Sequence, residues 1–585
     1  SDIFNAEMKY REAIKIGYCH CSIFINLGVI CKNSDRKEEA ISLYKKAIKI
    51  EPEDPDPYSN LGNLYRELSE FKKALSSTLK SLELKPDNPD AHMNLGSIYK
   101  DLGNLDQALA STLKSLELKP DNPNVYINLA SIYNAQKDFD KAKESYSKAY
   151  EYKPSIENAC LSKLNFPWHI SCQKEVENLR FEYIKNAKAI FNENQPKREK
   201  SFLDLSLFML AYQNGNNDRD FLETVGELVS PWLQITTTQR QSEPETCRYP
   251  DRDPKLDKIP RVGFYFDNTE KTHVVFKHYF NIVRNCHDNG IEVVIIKGPL
   301  AAKQNSDELL EQSSHVVQLY SNLEQSVETL KSLDLHMLIY TEIYSSYAPY
   351  CLAHNRIAPV QAVLPGNLIT TGIPTMDYFI SSEYMETSTS QEQYTEKLIK
   401  LKGMPHGITE IPKFKSTKTR HYFDLPESSH IFSLLHNLIK FHPDWDELLE
   451  EIAQNNENAV FMLTGKDSRS SLFLKNRWRQ SAPTFSSKCK FFNKMSKENY
   501  FNLLACADAV LDPIHMGCGT TSIDALSIGV PIITKPEDHP RTRIAYGLYK
   551  IMGIKNAPIA YTKSDYVNFC TKMLSTKQEY IELKE

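Results

Sequence analysis

Along the first quarter of the chain, apolar positions recur three and four residues apart, the spacing of amphipathic helices rather than strands. They also repeat as a block. Leu27, Leu61, Leu95 and Leu129 stand 34 residues apart, as do Ala40, Ala74, Ala108 and Ala142, and Pro52, Pro86, Pro120 and Pro154. Self-similarity at this period marks stacked repeats. Each unit reads as two helices, with small Ala or Gly at their crossing and Pro closing the second. Ala6 and Ala13 lie one period before Ala40 and Ala47, so the chain opens inside the second helix of an earlier unit. Residues 1–154 are therefore predicted to form an α-solenoid with a concave inner face.

The pattern then changes twice. Residues 155–254 read as a helical connector, with Trp168 and Trp232 as packing residues. A polar stretch at 239–258, rich in Pro, Asp and Arg, marks a linker. Beyond it, short apolar runs alternate with helical segments, the signature of parallel α/β sheets. The first half, 255–425, is expected to hold strands near 261–266, 292–296, 316–320, 337–341, 361–364 and 378–381. The second, 426–585, is expected to hold them near 430–435, 460–464, 490–492, 509–511 and 531–534. Two Rossmann-like lobes facing a cleft follow, with ligands expected at the carboxyl ends of the strands.

A chain of 585 residues is too long for one core, which agrees with this division. Its formal charge of -5 argues against a nucleic-acid partner. No apolar run is long enough to span a membrane, and Ser1-Asp2-Ile3-Phe4 shows no basic and apolar pattern of a secretory signal. The twelve cysteines show no CxxC pair or zinc spacing, which suggests reduced thiols and a cytoplasmic location.

The richest local chemistry lies in Gly517-Cys518-Gly519-Thr520-Thr521-Ser522-Ile523-Asp524. An apolar strand runs into a Gly-rich turn, then a helix opens. That layout gathers backbone N–H groups and a helix N-terminus at one spot, a metal-free way to hold phosphate. Asp524, one turn inside, could reach a ribose hydroxyl. The plainer reading is that Thr520, Thr521 and Ser522 only cap the helix. The Asp-x-Asp pairs at 54/56 and 138/140 fall in repeat turns and that at 251/253 in the linker, so none of these three is placed to hold a metal and no metal is expected. In the repeats, Asn26, Asn60, Asn94 and Asn128 also recur at the 34-residue step. Such an amide ladder could hydrogen-bond an extended peptide backbone, or simply solvate the groove.

The repeat motif Asn-Leu-Gly-x-x-Tyr…Ala…Pro resembles the tetratricopeptide repeat. With the segments Asp508-Ala-Val-Leu-Asp-Pro…Gly519-Thr-Thr, Gly529-Val-Pro-Ile-Ile-Thr, Ile357-Ala-Pro-Val-Gln-Ala and Thr370-Thr-Gly-Ile-Pro-Thr-Met-Asp-Tyr, nearly the whole chain resembles the tetratricopeptide-repeat glycosyltransferases. That family, numbered 41, includes O-linked N-acetylglucosamine transferase and SPINDLY-like proteins. The resemblance implies a GT-B fold and metal-free, inverting transfer from a nucleotide sugar, with a UDP-sugar favoured. Ser/Thr of a polypeptide received in the repeat groove would accept the sugar.

By this resemblance Lys440 would contact the departing phosphates, although on composition alone it is a solvated lysine. Gly519, Thr520 and Thr521 would hold the diphosphate and Asp524 the ribose, with Gly519 standing where relatives have His. Met495, Lys497 and Tyr500 would line the nucleobase. Arg543 would contact phosphate or pair within its lobe. His273 would be the active-site histidine of the first lobe, and Thr370, Thr371 and Asn367 would meet sugar or acceptor. Asn367 replaces a histidine of many bacterial relatives and cannot act as a base, so the base stays open. The repeats also offer a self-association surface. Two other readings stand beside this one: an inactive scaffold carrying a transferase fold, and a transferase with an Asn, glycan or small-molecule acceptor.

Overall fold

The computed structural model describes residues 2–34, 36–68, 70–136, 138–192, 200–212, 215–235, 259–269, 273–299, 301, 313–405, 414–466 and 468–572. The expected linker at 239–258 therefore lies outside the described residues. The chain divides into two compact units, residues 1–163 and 164–585.

The first unit is all helical. After α1 (Asp2–Lys15) come four pairs: α2 (Cys21–Asn33) with α3 (Lys37–Ile50), α4 (Asp56–Glu67) with α5 (Phe71–Leu84), α6 (Pro89–Asp101) with α7 (Leu105–Leu118), and α8 (Pro123–Ala135) with α9 (Phe139–Tyr152). Entry into α6 and α8 is fixed by Asn88 and Asn122, whose side chains accept backbone N–H groups of the first turn, with Pro next in line. The unit ends at Lys163 rather than at 154, because α10 (Ile156–Lys163) stays with it. Asn158 Nδ2 donates to Lys153 O at 2.9 Å and stitches α10 to the end of α9.

The small residues do what the pattern implied. Ala40, Ala74 and Ala108 are fully buried. A Cβ on Gly96 would lie 2.1 Å from Thr112 Oγ1 and 3.1 Å from Ala108 O. Gly96→Val is accordingly expected to destabilise the repeat unit by about 2–3 kcal/mol, read as a lower urea midpoint for its unfolding.

The second unit opens with helices Gln173–Asn192 and Arg219–Leu233. Trp232 is buried, edge-on to Phe191 at 6.0 Å, and donates from Nε1 to Phe191 O. Two parallel sheets follow. The first contains β1 (Arg261–Phe266), β2 (Glu292–Lys297), β3 (His315–Gln318), β4 (Met337–Tyr340), β5 (Val360–Val363), β6 (Tyr378–Ser382) and β7 (Lys397–Leu401), in the order β3-β2-β1-β4-β5-β6-β7. The second contains β8 (His430–Leu434), β9 (Ala459–Thr464), β10 (Cys489–Phe492), β11 (Ala509–Leu511) and β12 (Ile532–Ile533), in the order β10-β9-β8-β11-β12. Every pairing is parallel, and β1, β2, β4 and β8 are the buried, near-continuous apolar runs typical of such sheets. The two-lobed α/β expectation is met, and β7 is an addition to the predicted strands.

Both sheets reverse their strand order beside the first strand, between β1 and β4 and between β8 and β11. Those switch points open crevices at the strands' carboxyl ends. Among the described residues no helix is long and apolar enough to cross a membrane, and the described cysteines are free thiols.

Two buried histidines tie stability to pH. Burial holds His354 down at about 3, where its Nδ1 meets Ser230 Oγ at 2.8 Å. Burial likewise holds His436 well below its ordinary value, with Lys440 adding to the effect. Both stay neutral in the fold while their unfolded counterparts protonate near 6.5. Stability is therefore complete above that pH and is lost as the pH falls below it. The expected cost is about 2 kcal/mol per histidine at pH 5. Urea midpoints of the wild type at pH 7 and 5 measure it, and His354→Leu should flatten the slope.

Candidate active site

The second sheet's switch point gathers the chemistry. After β8 the chain turns through His436, whose buried ring stacks on Phe441 and Trp445 at 5.3 and 6.0 Å. Asn437 caps the following short turn, and Leu438 and Ile439 point into the core. With its neighbours anchored, Lys440 extends to the loop after β11, where Nζ donates to Gly517 O at 2.6 Å. Burial pushes the Lys440 pKa down, and the adjacent Cys518 and Asp512 oppose that shift.

The loop is held from below. Asp512, almost wholly buried, accepts from Cys518 N at 2.5 Å and from Thr534 Oγ1 at 2.7 Å. Gly517 N donates to Arg541 O at 2.9 Å. A Cβ on Gly517 would sit 3.1 Å from both that oxygen and the Asp512 carboxylate. Gly519 is the N-cap of helix Thr520–Ser527, and the space a side chain would take there is open. Thr520 and Thr521 form its first turn and are half-buried.

Asp524 follows one turn on. Burial pushes its pKa up, against the pull of Lys277, Lys497 and the Tyr500 hydroxyl. The Tyr500 hydroxyl also lies beside Thr521, and burial raises its pKa. Lys440, Gly519, Thr520, Thr521, Asp524 and Tyr500 thus share one locus of loop and helix. Lys497 starts helix Lys497–Leu504 as an exposed cation near the Phe501 ring, and Met495 packs against the lobe's core. Arg543 donates to Glu537 O at 3.0 Å and lies over the Tyr546 ring, contacts inside its own lobe.

The first lobe contributes a second set at its own switch point. His273 is half-buried at the N-cap of helix Val274–Asp288. Nearby Asp267, which follows β1, is pushed up by burial and accepts the Tyr265 hydroxyl at 2.9 Å. Glu342, just past β4, is pushed up to about 7 by burial, with Asp267 adding to the shift. Asn367 is half-buried beside Leu368, whose φ of 55° is left-handed. That conformation costs a leucine about 1–2 kcal/mol. Packing among Met385 and Ile544 holds Leu368 in place.

Thr370 and Thr371 are buried, and their hydroxyls turn to Glu396 instead of toward the donor loop. In the repeat unit, Asn94 Nδ2 donates to Ser59 Oγ and Asn128 Nδ2 to Met93 O, each reaching back to the preceding repeat. Asn26 donates to Tyr10 OH, and Asn60 lies half-buried on α4.

The sequence reading missed Lys277, which acts on Asp524 from the opposite lobe. Its signal was its place one helical turn after His273. Arg541 and Asp218, which brace the loop from behind, gave no local pattern because they lie 323 residues apart.

Comparison with known proteins bears on this geometry. The family model for glycosyl transferase family 41 matches residues 405–585, and tetratricopeptide-repeat models match 35–103 and 87–155. The chain carries a family 41 glycosyltransferase domain behind tetratricopeptide repeats. The matched family segment contains β8 to β12, Lys440, the loop after β11 and Asp524.

Among curated relatives, a probable UDP-N-acetylglucosamine–peptide N-acetylglucosaminyltransferase of Arabidopsis thaliana is 25% identical over 36% of this chain and 22% of its own length. A UDP-glucose:protein N-beta-glucosyltransferase of Actinobacillus pleuropneumoniae is 22% identical over 40% of this chain and 37% of its own. The chain thus spans well under half the length of these relatives. A solved mutant of Thermobaculum terrenum O-GlcNAc transferase shares the fold, with a TM-score of 0.65 and 16% identity over 91% of each chain.

Proposed function

We propose that this chain is an inverting glycosyltransferase that moves a sugar from a UDP-sugar to Ser/Thr hydroxyls of polypeptides, without a metal at the diphosphate. The observation that carries the reading is Lys440, a cation drawn onto the same loop whose helix N-terminus carries Thr520 and Thr521. Breaking a sugar–diphosphate bond leaves negative charge on the departing phosphates. A fixed cation and helix-terminal N–H groups stabilise it best where water is scarce.

Asp524 would hold the ribose, and Tyr500, whose hydroxyl lies beside it, would border the nucleobase. Asp267 and His273 of the first lobe would handle the acceptor, and the repeats would present the polypeptide through their amides. An amide acceptor is the second reading, favoured by the N-beta-glucosyltransferase named among the relatives.

Calorimetric titration with UDP and GDP in EDTA tests the donor half. UDP is expected to bind and GDP to bind far more weakly, and Asp524→Asn is expected to weaken UDP about tenfold. No nucleotide binding would favour the scaffold alternative. Peptides carrying either Ser/Thr or Asn as the acceptor separate the two transferase readings.

A further inference from the structure

Beside the donor loop three metal-ligating side chains from two separate segments converge. His442 and Asp444 belong to the turn that follows Lys440, and His515 to the loop after β11. Their ligand atoms lie within 4.8 Å of one another. Asp444 Oδ2 is 2.9 Å from His515 Nε2 and 3.4 Å from His442 Nδ1. A tetrahedral zinc ion with bonds of about 2.0–2.1 Å sets its ligands about 3.3 Å apart, so the two measured spacings bracket what such an ion requires.

The two rings meet edge-on with centroids 4.5 Å apart. His442 is buried, whereas the Asp444 side chain keeps 40% of its exposure, leaving a solvent side for a water as fourth ligand. The other nitrogen of His515 faces Glu537 Oε2 at 3.7 Å. That distance is an electrostatic contact, and a sub-ångström shift would make it the carboxylate–histidine hydrogen bond that orients a ligating imidazole from behind. His442 Nδ1 accepts the Asp444 N–H at 3.1 Å in this state, a contact that ligation would displace.

We propose that His442, Asp444 and His515 form a binding site for a divalent transition metal, zinc by the chemistry of its donors. Two imidazoles and one carboxylate suit zinc better than the oxygen-seeking magnesium or calcium. The ion would be a brace, not a reactant. It would fasten the turn bearing Lys440 to the loop bearing Gly517, adding to the Lys440–Gly517 and Asp444–His515 contacts that now join them. The site goes beyond the glycosyl-transfer reading and does not depend on it. Cys21, Glu51 and Asp54 form the other such group among the described residues, with the first of these buried and the second exposed.

The test is metal content after dialysis of the metal-stripped full chain against zinc, together with the visible spectrum of the cobalt-loaded protein. The wild type is expected to hold one ion at this site, with the strong visible bands of tetrahedral cobalt and a raised Tm. His515→Leu and Asp444→Asn should each lose that ion and the bands. UDP titration of the same samples reports separately whether each variant is folded and whether the donor reading stands. Equal metal content in wild type and both variants, or no cobalt bands in the wild type, would overturn the site and leave Asp444–His515 as an ordinary ion pair.

Discussion

Lys440→Ala is expected to lower kcat about a thousandfold and to weaken UDP binding at the same time. The magnitude follows from removing one preorganised charge aimed at a departing diphosphate in a water-poor site, an effect of about 4 kcal/mol. Lys440 suits that role because its surroundings fix it: Asn437 shapes the turn, Leu438 and Ile439 anchor it, and Gly517 O receives the ammonium. Lys440→Arg should recover little, since the longer planar fork cannot reproduce a point contact with one carbonyl.

The pH dependence carries its own sign. Burial lowers the pKa of this lysine, so its charge is lost earlier on the alkaline side than that of a surface lysine. Turnover should therefore fall as pH rises at a point below the usual lysine range. Single-turnover rates of wild type and variant across alkaline pH check both expectations. A variant with unchanged kcat would remove Lys440 from the chemistry.

Arg541→Ala should be the most destabilising single change in the second unit. Its guanidinium and the Asp218 carboxylate are 1% and 2% exposed, and Nη1 meets Oδ2 at 2.7 Å. Arg180 completes the cluster on Asp218 Oδ1 at 2.5 Å, and Arg541 Nη2 donates to Asn216 O. Removing Arg541 takes one of two cations from the buried Asp218 carboxylate and leaves Arg180 as its remaining partner, at a cost of about 3 kcal/mol, the lower end for a broken buried pair. Replacing both partners by apolar residues strands the Arg180 guanidinium in turn, but that group is 15% exposed and turns to solvent more readily than the carboxylate, so the double change should cost less. Chemical denaturation of Arg541→Ala and of Arg541→Met with Asp218→Leu measures the difference. Because Gly517 N donates to Arg541 O, the single variant should also weaken UDP binding. A change confined to stability would separate the brace from the site.

What the sequence made legible was whatever repeats or sits in one continuous stretch. The 34-residue step announced the paired helices, and the run from β11 through Asp524 announced the loop and helix. Edge strand β7 escaped because two of its five residues are lysines and none is fully buried, so no long apolar run marks it. Glu396 lies just before it and captures the hydroxyls of Thr370 and Thr371, a pairing set by the sheet and invisible in a linear reading. Lys277 with Asp524, Arg541 with Asp218, and His515 with Asp444 each join distant segments. Their meaning appears only when the sheets bring the switch points together.

The repeats carry one more implication. Residues 77–89 and 111–123 are the same sequence one period apart, and within successive helix pairs a glycine meets a threonine at the same place, Gly62 with Thr78 and Gly96 with Thr112. Excising 34 residues between those copies would rejoin like to like, leaving every remaining interface chemically familiar. Excising 33 would rotate each downstream side chain by about 100° around its helix and bury the wrong face. The array therefore behaves as a ruler graduated in whole units, whose reach evolution or a designer can lengthen and shorten by counting.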